Sequence, residues 1–527
     1  MIRPLFSPAQ RSMAKKRLLC SPGRARYLFS TFANVIDGKT RESSRVHQGI
    51  NPSDCQKLWD VPIASRDDLQ DAITSAQKAF TSWSAVSGSD RQAAIAQLRN
   101  SLLSSKEDMA ELLMKEAGKP RMQATLEVDH ACGFLDYFAN VRLPSEEVIH
   151  EDASLKLTLN YLPLGVIGAI VPWNFPLVLA LAKVAAALAA GSTVIVKPSP
   201  YTPYSILKVA ELAIPILPRG VFQAINGDDT TGPEMTLHPD INKISFTGST
   251  RAGKHILAAT SNTLKECTLE LGGNDPAIIF PDVDIQAVAQ QVALGAFFNS
   301  GQFCLGSKRL YVHEAIYNEF RDALVNVVKT WKVGPVDEDV MIGPVQNEMQ
   351  FNVVNGIFED CKTNGYKFAL EGGPSTGPGY IFHPTIVDRP PDGSRIVTEE
   401  PFGPIVPLLS WNDESELISR VNDTKTGLGC SIWAKDVEAS KRLAPKIQSG
   451  SVWLNSFAKP HPQGYLAGRK ESGIGEILRS SIREAMRCLR AEDDRGVGLI
   501  ARNTPFLQRG VYWSKTRIAI LPQTMPS

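Results

Sequence analysis

Cysteine is scarce in this 527-residue chain, and the eight present are scattered without a C-x-x-C pair or a Cys/His cluster. That spacing excludes a disulfide framework and a structural zinc site, and points to a reduced, intracellular protein with no metal centre. A surplus of one charge is also missing: 56 Lys+Arg stand against 55 Asp+Glu, net +1. No whole-chain field therefore draws nucleic acid or an anionic membrane. Low-complexity tracts and internal repeats are absent, and a hydrophobic fraction of 43% is enough to fill sizeable cores. The length suits two or three packed subdomains. Uninterrupted apolar runs are missing too. Residues 177–196 carry a single charge, Lys183, but Gly191-Ser192-Thr193 divides them. A buried helix followed by a short strand is expected there, not a membrane span.

Acidic residues are absent from positions 1–36, which hold seven basic ones, so the rest of the chain carries 49 basic against 55 acidic. Arg3, Arg11, Lys15, Lys16, Arg17, Arg24 and Arg26 lie among serines with no apolar core behind them. This composition suits a mitochondrial presequence. Pro4 and Pro8 oppose the amphipathic helix it needs, and a disordered extension, or a true start at Met13, in a cytoplasmic protein is the alternative.

From 65 to 120 the pattern is helical: Leu69, Ile73, Ala76, Phe80 and Trp83 form one apolar stripe. Ser89-Asp90 offers a new cap, and Gly118-Lys119-Pro120 stops the third helix. Beyond 165, candidate strands at 166–171, 193–196, 221–225, 243–246 and 267–271 alternate with helices, which predicts a parallel sheet covered on both faces. The unusual sequences sit at the carboxyl ends of these strands, where such sheets bind ligands. A second α/β segment is expected over 293–455. Residues 1–32 read as an extension and 33–292 as the first domain, to which the chain returns at 456–475. Residues 476–527 read as a diverged tail.

Cys304, in Gly301-Gln302-Phe303-Cys304, is either a small core residue or a nucleophile at a turn. Glu270 ends a buried strand, so its carboxylate either has a partner or titrates upward as a general base. Asn174 could donate to an oxyanion or hold a turn before Pro176. Lys197 at a strand end suits hydroxyls or phosphate, or is a snorkelling surface lysine. Gly248 and Ser249 open a helix where backbone N–H groups meet phosphate. Gly227 begins no G-x-G-x-x-G, because Asp229 stands at the second glycine.

Taken in order, Pro172-Trp173-Asn174, Lys197-Pro198, Phe246-Thr247-Gly248-Ser249-Thr250, Glu270-Leu271-Gly272-Gly273, Gly301-Gln302-Phe303-Cys304 and Glu400-Pro401-Phe402-Gly403-Pro404 closely resemble the aldehyde dehydrogenase superfamily, from about Phe32 to Gly475. The resemblance implies an α/β fold of three parts: a Rossmann-like cofactor domain, a catalytic domain and a small bridging arm that builds a homodimer or homotetramer. It implies an aldehyde substrate, NAD or NADP as cofactor, Cys304 as nucleophile, Asn174 as oxyanion donor and Glu270 as the base that activates water. Trp173, Lys197, Ser199, Gly227, Gly248, Ser249, Leu271, Glu400 and Phe402 would form the cofactor cleft. The family commonly has a glutamate where this chain has Pro200, so strict NAD use is not implied. Two rivals share these residues: a CoA-acylating semialdehyde dehydrogenase, and an esterase using Cys304 and Glu270 without redox. A non-catalytic descendant is a third. Phe175, Phe298 and Phe303 either line the aldehyde's path or pack the core.

Overall fold

A computed structural model describes residues 29–475 except 144, 145, 153, 154 and 460, together with 477–478, 486–493, 499–501 and 517–519. Residues 1–28 of the extension expected at 1–32 lie outside the described residues. Phe29 and Phe32 already pack on the body, so the extension ends earlier than 32.

Three helices open the body: Arg66–Trp83, Gly88–Ser104 and Lys106–Ala117. The first starts with a reciprocal cap between Ser65 and Asp68, an arrangement that satisfies donors the first turn leaves open. The second is capped by Ser87, which accepts from the Asp90 N–H at 3.1 Å, not by Ser89 as expected. The third ends on Gly118 at φ +66, where a Cβ would stand 2.7 Å from Pro52 and 2.8 Å from Pro344.

Strands Val166–Ile170, Thr193–Lys197, Phe222–Ala224, Lys243–Thr247 and Glu266–Glu270 run parallel, all within one or two residues of expectation. Numbered in chain order, their sheet order is 3-2-1-4-5. The order reverses between Val166–Ile170 and Lys243–Thr247, and a crevice opens at such a reversal. The segment weighed as a span becomes the helix Pro176–Ala190 and the strand Thr193–Lys197. Leu177, Leu181, Val184 and Leu188 of that helix are fully enclosed, each worth roughly 1.5–3 kcal/mol on leaving water. Among the described residues no helix is long and apolar enough to cross a membrane.

The second sheet begins at Pro276–Ile279, so the boundary expected at 293 falls too late. After Glu270 the chain crosses directly from one sheet to the other. Pro276–Ile279 pairs in parallel with Arg309–His313 and Gly429–Trp433, and the sheet extends through Ile405–Trp411, Thr385–Asp388 and Ser451–Leu454. Gly473–Ile474 returns to the first sheet beside Glu266–Glu270. Met486–Asp493, within the expected tail, is instead a strand paired antiparallel with Leu155–Pro163, which also pairs with Glu147–Glu151. The carboxyl ends of the first sheet thus face the amino ends of the second.

Candidate active site

Cys304 lies in the turn before strand Arg309–His313, at the amino edge of the second sheet, and is partly exposed. The approach to it is unusual backbone. Asn299, Ser300 and Gly301 all have left-handed φ, at +53°, +57° and +72°. Such a conformation costs a non-glycine residue of order 1 kcal/mol, so it persists only where its surroundings hold it. Here they do. The Asn299 N–H donates to Gln123 Oε1 at 3.0 Å, Ser300 Oγ to the Gly343 carbonyl at 2.8 Å, and the Gln346 N–H to Gln302 Oε1 at 2.7 Å. Gly301 is required: a Cβ there would meet the Gly403 carbonyl oxygen at 2.1 Å.

Asn174 is buried just beyond strand Val166–Ile170 and donates from Nδ2 to the Gln302 carbonyl at 3.0 Å. An amide has two N–H groups, so one remains to point elsewhere. Asn299 Nδ2 in turn donates to the Asn174 carbonyl at 3.1 Å. Behind Asn299 stands Lys119, read from sequence only as part of a helix stop. Its Nζ reaches Asn299 Oδ1 at 3.1 Å and Glu127 at 3.0 Å, and lies 3.7 Å from the Phe175 ring centroid. Both charged side chains of this pair are completely buried. Glu127 Oε1 also accepts the Leu177 N–H at 3.0 Å, closing the first turn of the buried helix.

Glu270 ends its strand enclosed, with one hydrogen bond from Thr247 Oγ1 at 3.3 Å and Oε1 unpartnered among the described residues. Burial raises its carboxyl above the ordinary range, against the opposing Lys183 charge and Thr247. Lys183 sits on the buried helix and donates to Ser245 Oγ at 3.1 Å. Burial also pushes the Cys304 thiol up, to about 12; Glu270, Glu400 and Asp275 add to the rise and Lys308 opposes it.

The remaining residues divide. Trp173 and Phe402 meet edge to face, with centroids 5.5 Å apart. Glu400 pairs with Lys308 at 3.1 Å and lies against Gly272, where a Cβ would come within 2.5 Å of it. Lys197 is buried and not a surface lysine; Nζ donates to the Pro198 carbonyl at 3.3 Å and forms no ion pair among the described residues. Ser199, Gly227, Ser249 and Leu271 are turned to internal tasks. Ser199 Oγ accepts the Tyr201 N–H and Ser249 Oγ caps the helix Thr250–Thr260. Gly227 leaves room for Thr231, and the Leu271 N–H donates to the Ser472 carbonyl. Gly248 lies where a Cβ would strike the Phe246 ring, and its N–H donates to the Glu270 carbonyl. Phe175, Phe298 and Phe303 form one partly exposed cluster, with centroids 5.1–6.3 Å apart. Lys119, Glu127, Asn299 and Lys308 were missed. A buried charge at the start of the apolar run 310–312 was the one available signal for Lys308.

A two-sheet α/β fold with a cysteine turn facing a buried carboxylate across a strand-order reversal defines an oxidoreductase of the aldehyde-dehydrogenase type, and comparison with known proteins agrees. The Aldehyde dehydrogenase family model matches residues 39–490, beyond the end expected at Gly475. Aldehyde dehydrogenase LUC3 of Fusarium sp is 41% identical over 451 residues, covering 85% of this chain and 95% of that protein. Succinate-semialdehyde dehydrogenase [NADP(+)] GabD of Escherichia coli is 34% identical over 430 residues, covering 81% and 89%. Aldehyde dehydrogenase C of Pseudomonas syringae, solved with NAD+ and octanal, superposes with a TM-score of 0.84 at 31% identity, covering 88% of this chain and 96% of that one. The chain belongs to the aldehyde dehydrogenase family, and as a member it is an NAD(P)-dependent oxidoreductase of aldehydes.

Proposed function

We propose that the protein oxidises an aldehyde to a carboxylic acid through a thioester on Cys304. The observation that supports this best is the meeting of three groups: a partly exposed cysteine on a braced turn, an amide bonded to the Gln302 carbonyl of that turn, and a buried carboxylate with a free oxygen. The Cys304 sulfur gives its proton to solvent and bonds to the carbonyl carbon, whose π electron pair moves onto oxygen. The resulting oxyanion lies between the second Asn174 N–H and the Cys304 backbone N–H, which meets no acceptor among the described residues. Donors at such an oxygen are worth roughly 3 kcal/mol each. A bound nicotinamide dinucleotide supplies the hydride acceptor. Glu270 Oε1 then takes a proton from water, the hydroxide attacks the thioester carbon, the C–S bond breaks to release the acid, and the proton held by Glu270 passes to the departing sulfur. A carboxyl raised by burial suits that task, since its proton affinity approaches that of a base at neutral pH.

The residues fit such a dinucleotide. Lys197 holds a buried ammonium with hydrogen bonds to spare, Phe402 meets Trp173 edge to face, and Glu400 stands two positions before Phe402. Lys197 and Glu400 would hold ribose hydroxyls, and Phe402 the nicotinamide end. The three phenylalanines beside Asn174 and Cys304 favour an aldehyde with an apolar tail, because Lys119, the cation beside them, is wholly buried and paired. The octanal bound by the Pseudomonas syringae relative has a tail of this kind. As in the family it resembles, the chain would assemble as a homodimer or homotetramer.

The test is a panel of aldehydes with NAD and NADP, following reduced-cofactor absorbance. Octanal should be oxidised faster than succinate semialdehyde, and Cys304→Ala should abolish turnover. Acyl-CoA formed on adding CoA, or ester hydrolysis without aldehyde oxidation, would overturn the assignment.

A further inference from the structure

Among the described residues, Lys308 joins the turn of Cys304 to the carboxylate of Glu400. Its side chain is almost completely buried. Nζ donates to the carbonyls of Phe303 at 2.7 Å and Cys304 at 2.8 Å, approaches that of Gly306 at 3.4 Å, and pairs with Glu400 at 3.1 Å. Its own backbone N–H is anchored on the Asp275 carbonyl at 2.8 Å. An ammonium has three N–H groups, and four oxygens crowd around this one.

We propose that Lys308 is a positioning residue that ties the Cys304 turn to Glu400 and keeps a positive charge beside the thiol. Resting on the reading of Cys304 as nucleophile, it adds a residue to that mechanism. The charged groups facing the thiol are Glu270 from the first sheet, Asp275 from the crossing segment, Glu400 from the loop before Ile405–Trp411, and Lys308 itself. Three are acids. Without the ammonium, thiolate would form beside these buried carboxyl groups with no opposing positive charge among them.

The experiment follows iodoacetamide labelling of the Cys304 peptide by mass spectrometry, at fixed pH, in the full-length protein. Lys308→Met should slow labelling roughly tenfold, the change expected for one pKa unit. Adding Glu400→Gln to that variant should recover most of the rate, because it removes the acid the lysine had balanced. Glu400→Gln alone should label faster than the native protein, which tests the charge argument even if Lys308→Met does not fold. Unchanged labelling in Lys308→Met, equal slowness in the double variant, or no acceleration in Glu400→Gln would each overturn the proposal. Turnover by Cys304→Ala judges the nucleophile separately, since labelling reads the thiol whether or not it is catalytic.

Discussion

Asn174 and Glu270, both proposed to act at Cys304, are built in opposite ways. Asn174 is held from both ends, by Gln302 and by Asn299, and Asn299 rests on the buried Lys119–Glu127 pair. Glu270 has one long bond from Thr247 and an oxygen with no partner among the described residues. A donor aimed at an oxyanion works by being fixed before the charge develops, and under the proposed role the bonds to Gln302 and from Asn299 supply that fixing. A base must exchange protons and meet water, so it keeps a free lone pair and a raised carboxyl. Buried unsatisfied atoms are rare because each is unfavourable, and an unpartnered Glu270 Oε1 suits the base role proposed for it.

That contrast can be broken by substitution. Glu270→Gln should cut steady turnover by roughly 10²–10⁴ while leaving a first-turnover burst of reduced cofactor. Loss of the burst would place Glu270 in acylation instead. The native deacylation step should quicken as pH rises, because the carboxyl is raised above its ordinary value and acts when deprotonated; stopped-flow pH profiles read this. Asn174→Ala should slow the burst itself by about 10²–10³, with unchanged circular dichroism. Lys119→Met strands the Glu127 carboxylate in the interior and should lower stability by roughly 3–5 kcal/mol in denaturant unfolding. Lys119→Met with Glu127→Gln should regain part of that loss, because no unpaired charge remains; a double variant no more stable than the single would point to packing instead.

Most of the first sheet was legible because its strands are short β-branched runs between clear helix and turn signals. Cys304, Asn174 and Glu270 stood out because polar or reactive groups at strand ends need explanation. The boundary at 293 was misread for a local reason: Pro276–Ile279 follows Gly272-Gly273 so closely that it continues the first apolar rhythm, although it pairs across the gap. Ser199 and Ser249 lay in turn and cap sequences, and their hydroxyls answer to those local bonds.

Local order was written in the chain itself: apolar period sets helix or strand, glycine and serine set the ends, and strand ends mark where ligands gather. Which of those ends meet was decided only by folding. Lys119 and Asn299 are 180 positions apart, and Lys308 reaches an acid on another strand's approach. Hydrogen bonds and ion pairs act over a few ångströms, and no pattern along the chain specifies which distant groups close that gap.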